Sequence, residues 1–84
     1  HPELYKRLVA WRNAEASRLG LPVYTVIQQK AILGITNLLP EDKTTLLRIP
    51  YFGKKGVEKY GDELLEMVRM YKKESGIAET LFSD

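Results

Sequence analysis

Lys54, Lys55 and Lys59 stand between Tyr51 and Gly61, behind Pro50 and Gly53, in the stretch Ile49-Pro-Tyr-Phe-Gly-Lys-Lys-Gly-Val-Glu-Lys-Tyr-Gly61. Ammonium groups beside the exposed amides of a helix start make an anion site, and phosphate is the anion they suit. Pro50 fixes its own φ and drives Ile49 into extended backbone, while Gly53 is free to take a positive φ. Lys55 and Lys59, four apart, share one face of the helix that follows. The same residues also fit a plain corner between two helices, kept soluble by its lysines. This segment alone leaves both readings open.

Aromatic rings offer a second kind of contact. Tyr24 follows Pro22 in a turn, where a displayed ring can stack on an unpaired base for about 1–3 kcal/mol per base. Its alternative is to plug a small core with its hydroxyl in water. Tyr51 either adds a stacking surface beside Lys54 and Lys55 or covers the edge of Phe52. Trp11, the sole tryptophan, lies on an apolar helical stripe and is expected in the core. Arg12 beside it is expected to pin helices through an ion pair. Lys72 and Lys73 end a helix, where the dipole alone explains them.

The inventory for catalysis is poor. The one histidine is His1, there is no cysteine, and Glu63 and Glu66 at a helix start have an ordinary electrostatic explanation. No phosphate loop of the Gly-x-x-x-x-Gly-Lys-Ser/Thr type is present. No metal site or cofactor is expected in this domain.

These groups must be positioned by an 84-residue chain of formal charge +2, which suits one small domain and argues against a deep substrate cavity. Bulk charge is too weak to attract nucleic acid, so any such surface must come from local clustering. No apolar run approaches the roughly 20 residues that span a bilayer. The chain opens His1-Pro2 and not with Met, as expected of a piece of a longer polypeptide.

Leu4, Leu8, Trp11 and Leu19 recur at helical spacing and predict a first helix over residues 3–19, stopped by Gly20. Residues 21–27 read as an extended or single-turn connection to a second helix over 29–38, with Ile32, Ile35 and Leu39 on one face. Asp42 is the expected N-cap of a short helix over 43–48 that buries Leu46, Leu47 and Ile49. A fourth helix is predicted over 54–59 and, after Tyr60-Gly61, a fifth over 62–74. Val57, Tyr60, Leu64, Val68 and Tyr71 step by three and four along the face turned to the core. The expectation is an all-α, compact bundle of about five helices over 1–76, followed by a tail, 77–84, in which Ile77, Leu81 and Phe82 are placed to dock.

Three segments together resemble the HRDC domain, a helical module of RecQ-type helicases and ribonuclease D. They are Leu8-Val-Ala-Trp-Arg-Asn-Ala-Glu-Ala16 in the opening helix, Gly20-Leu-Pro-Val-Tyr-Thr-Val-Ile27 leading to helix two, and Leu47 to Gly61 with its glycine, basic and aromatic pattern. The chain is most like the HRDC domain of a bacterial RecQ-type DNA helicase. By position, Tyr24 matches the turn aromatic associated with DNA contact, and Lys55 and Lys59 match basic positions of the third segment. Two departures stand out. Tyr51 replaces a glycine of the usual Gly-apolar-Gly start, and Gln28-Gln29-Lys30 replaces a capping Ser or Asn followed by Asp. The second exchange costs a cap and adds a lysine beside Tyr24.

The resemblance implies a compact orthogonal bundle of about five helices and a non-catalytic, monomeric accessory domain of a helicase acting in DNA repair and recombination. It implies weak contact with single-stranded or partly duplex DNA through Tyr24, Lys30, Lys54, Lys55 and Lys59. ATP and Mg are expected only in the parent's motor domain, and the setting is cytoplasmic, at the nucleoid in a bacterium. The alternative is a module that docks on protein, such as the parent's helicase core, through Tyr51, Phe52 and the tail. The parent is then a helicase or a ribonuclease D-like enzyme.

Overall fold

The computed structural model describes residues 1–76; the tail residues Ile77, Leu81 and Phe82 lie outside the described residues. Helix α1 runs over Pro2–Leu19. Gly20 stops it at φ 68°, and the Leu21 amide bonds back to the Ala16 carbonyl at 3.0 Å, a glycine-centred closure that satisfies the last carbonyls. The connection makes one tight 3-10 turn over Val23–Thr25. Helix α2 is Gln29–Leu38 and short α3 is Lys43–Leu46. Asp42 caps α3 as its sequence position predicts, accepting the Thr45 amide at 2.7 Å. That bond holds the Asp42 carboxyl below its ordinary range.

Helix α4 is a continuous 23-residue rod, Gly53–Ser75. The predicted break between a fourth and a fifth helix is therefore absent, and the described residues form four α-helices and the 3-10 turn. Gly61 sits buried inside the rod. A Cβ there would lie 3.6 Å from Leu46 Cδ2 and 3.7 Å from Lys43 Cε, so the glycine lies where α3 crosses α4 and does not end a helix. The short α3 also stops earlier than expected. Arg48 and Ile49 bond back by three residues to Thr45 and Leu46, tightening the chain before Pro50.

The core joins Leu4, Leu8 and Ala16 of α1 to Ala31, Ile32 and Ile35 of α2, to Leu46 and Ile49, and to Val57, Tyr60, Leu64, Leu65 and Val68 of α4. Burying each of the larger aliphatic side chains contributes roughly 1.5–3 kcal/mol. Leu47, expected inside, is 48% exposed. Trp11 packs against the core edge, its ring 5.0 Å from Tyr60 in an edge-to-face contact. Its indole N–H donates to Glu63, which gives that carboxylate a structural role.

Arg12 makes no ion pair among the described residues and bonds only its neighbour Asn13. The expected pinning falls instead to Arg7. Its two terminal nitrogens reach Glu74 at 2.7 and 3.3 Å, tying the start of α1 to the end of α4.

Candidate nucleic-acid interface

The corner between α3 and α4 is built by two contacts at glycines. A Cβ on Gly34 of α2 would lie 3.1 Å from Ile49 Cγ2, so α2 and the chain before Pro50 are in close approach. A Cβ on Gly56 would lie 2.6 Å from a ring carbon of Phe52, so the Phe52 ring packs closely against the first turns of α4. Of the three glycines between Pro50 and Asp62, Gly53 takes the positive φ that its place after Pro50 suggests, 81°. Gly56 and Gly61 are helical.

Tyr51 stands between these clamped neighbours with φ 68°, in the left-handed region that favours glycine. The backbone thus keeps a glycine-like conformation with a tyrosine in place. Tyr51 is 58% exposed; its ring makes no ring contact with Phe52 and lies under the Lys30 ammonium, 4.9 Å from Nζ to the ring centroid. Lys30 therefore stands beside Tyr51. No hydrogen bond, ring contact or ion pair among the described residues joins it to Tyr24.

Lys54 and Lys55 occupy the first turn of α4, whose N-cap, Phe52, offers no side-chain acceptor. Neither lysine has an ion pair among the described residues. The amides at this end carry the positive end of the helix dipole, so two more cations here are unfavourable for the free protein and favourable for a bound anion. Lys59 is differently placed. Its ammonium lies 5.3 Å from the Tyr60 ring centroid, and its charge helps keep Glu15 ionised. Glu15 is held below the ordinary carboxylate range first by the hydrogen bond from Arg18, against partial desolvation, and then by the Tyr60 hydroxyl. Lys59 thus faces an acid of its own protein.

Tyr24 lies within the 3-10 turn, 67% exposed, with Leu21 at 50% beside it. Val26 and Ile27 behind it are buried and hold the turn to the core. The display of the ring, and not its burial, is what the fold selects. Gln28, the N-cap of α2, makes no side-chain capping bond, and Gln29 reaches across to the Tyr5 hydroxyl at 2.9 Å.

Arg48 escapes the sequence reading. It is exposed and has no ion pair among the described residues. The signal was present: Lys43 to Val57 contains Lys43, Arg48, Lys54 and Lys55 and no acid, and only Lys43 of these is paired, with Asp62 at 3.2 Å. The described residues hold no group of three or more His, Cys, Asp or Glu able to bind a metal. No described helix is long and apolar enough to cross a membrane.

The chain is similar to known proteins over most of its length. The HRDC domain family model matches residues 1–68. Curated relatives named ATP-dependent DNA helicase UvrD2, from Mycobacterium bovis and from two strains of Mycobacterium tuberculosis, are 36% identical over 67 residues. That alignment covers 80% of this chain and 10% of each relative, so the chain spans about a tenth of their length. No solved structure matches.

Proposed function

The chain belongs to the HRDC domain family, and on that premise we propose that it is a non-catalytic, auxiliary nucleic-acid-binding domain of a larger DNA helicase. The observation that carries this reading is the pair Lys54 and Lys55, unpaired in the first turn of α4 next to the Lys30–Tyr51 contact. These cations have no internal partner among the described residues, and a phosphate chain supplies one. Lys30, Lys54 and Lys55 bind the backbone of single-stranded or partly duplex DNA. Tyr24 stacks on an unpaired base, and Lys59 contributes at the margin because Glu15 already shares its field. Binding is modest and salt-sensitive, since it rests on a few phosphate contacts. ATP and Mg belong to the motor of the parent, a UvrD2-like or RecQ-type helicase.

The test is an NMR titration of the 84-residue chain with single-stranded and 3′-overhang oligonucleotides at two salt concentrations. Amide shifts centred on Tyr24, Lys30 and residues 48–55, weaker at the higher salt, are expected. An absence of shifts at low salt and millimolar ligand overturns the reading.

A second reading has its own observation. A shallow groove of about 440 Å³ on α1 and α2, lined by Pro2, Tyr5, Leu33 and Thr36 among others, is mainly apolar, and Leu33 is 45% exposed. It shares no residue with the lysine corner. In this reading the groove docks the helicase core, and Leu33→Asp weakens that docking with little dependence on salt.

A further inference from the structure

A tyrosine in left-handed backbone, as Tyr51 is at φ 68°, is strained and persists only where its surroundings hold it there. Burial does not hold Tyr51, which is 58% exposed. Its neighbours are clamped and it is not: Ile49 is 3% exposed and lies against Gly34, and Phe52 lies against Gly56. The backbone at Tyr51 is therefore fixed while its ring points outward, with the Lys30 ammonium 4.9 Å from the ring centre. Arg48, Lys54 and Lys55 stand on the same acid-free segment.

Ring and ammonium together match the two halves of one nucleotide: a flat π-face for the base and a cation for the phosphate beside it. We infer that Tyr51 and Lys30 form a second base-binding platform for single-stranded nucleic acid, separate from the one at Tyr24. The inference rests on the reading of this domain as a nucleic-acid binder. The base stacks on the exposed part of the Tyr51 ring, and Lys30, already drawn to that ring, meets the adjoining phosphate. The contact is indifferent to sequence, because every base has a π-face. It needs an unpaired base, so a continuous duplex does not engage it.

The experiment compares two strands of equal length and charge, an oligothymidylate and the same backbone carrying abasic residues, against the parent chain and five variants, Tyr24→Ala alone among them. Tyr51→Gly removes the ring and keeps the backbone conformation, since glycine takes positive φ without strain; its thermal midpoint should equal or exceed the parent's. The parent, with both platforms, should prefer the strand with bases by at least about 25-fold, two stacking contacts at the lower end of their range. In Tyr51→Gly that preference should shrink several-fold while affinity for the abasic strand is unchanged. Tyr51→Phe should behave as the parent, and Lys30→Gln should weaken both strands alike. Tyr24→Ala with Tyr51→Gly should abolish the preference, and neither single change should. If Tyr51→Gly keeps the parent's full preference, the platform does not exist although the domain binds. If the parent binds neither strand, the functional reading itself falls and this inference with it.

Discussion

At the start of α4, Lys54 and Lys55 sit among amides that already repel them, and no acid among the described residues answers them. At its end Lys72 lies where exposed carbonyls favour a cation, only 14% exposed, and pairs with Glu41 at 3.0 Å. Arg69 pairs with Glu66, and Glu74 takes both terminal nitrogens of Arg7. The same residue types serve opposite ends. The last turns use Arg69, Lys72 and Glu74 in ion pairs, and the first turn leaves Lys54 and Lys55 without an ion-pair partner among the described residues. A count of basic residues could not separate the two, whereas the sign of the local field does.

The largest effect that would break this contrast comes from reversing the free charges. Lys54→Glu with Lys55→Glu should lower affinity for single-stranded DNA by more than about tenfold at low salt, since it removes two phosphate contacts and adds repulsion. The same pair should stabilise the fold, by about 0.3–1 kcal/mol per site, because acids suit a helix start. Opposite signs in binding and stability are the signature; a loss of both would mean that the lysines serve the fold.

Next in size are the glycines of the same helix. Gly56→Ala drives a Cβ into the Phe52 ring and should cost roughly 1–3 kcal/mol, as overpacking does, with the corner displaced and binding reduced. Gly61→Ala meets Val57 and Leu46 only at ordinary contact distances of 3.4 and 3.6 Å. It should gain about 0.5–1 kcal/mol from the lost chain entropy. Urea denaturation of both variants checks the pair, and equal effects would contradict the packing described.

The smallest effect sharpens the C-terminal half. The hydrogen bond and charge of Arg7 hold Glu74 below the ordinary carboxylate range. A depressed carboxyl stabilises the fold above its unfolded pKa, about 4.3, and that contribution fades as pH falls through the folded value. Glu74→Gln should therefore be less stable than the parent at neutral pH, with the difference closing in acid, and its DNA affinity should be unchanged. Thermal midpoints across pH 2–7 (roughly the span in which carboxylates titrate) measure this.

Much of the fold was legible where one signal has one meaning. The apolar spacing of α1 with Gly20 behind it, and Asp42 ahead of α3, each point to a single local structure. Gly61 did not, because a glycine marks a helix end or a close helix crossing with equal force, and only the position of α3 decides. Leu47 was misplaced inside because α3 tightens before Pro50 and turns that side chain out. In the candidate site, Tyr24 and the first-turn lysines followed from chain order. The Lys30–Tyr51 contact did not, since it joins two elements that meet only in the folded molecule, and a positive φ at a tyrosine has no sequence signature. Arg48 could have been found from the acid-free run that contains it.

The most direct measurement of the central claim is the affinity of the parent chain for a single-stranded oligonucleotide across a salt series. With three to four lysines or arginines each neutralising a phosphate, log affinity should fall against log salt with a slope of about −2 to −3. A slope near zero, or no binding at low salt, would contradict the claim that the free cations at the start of α4 are there to meet nucleic acid.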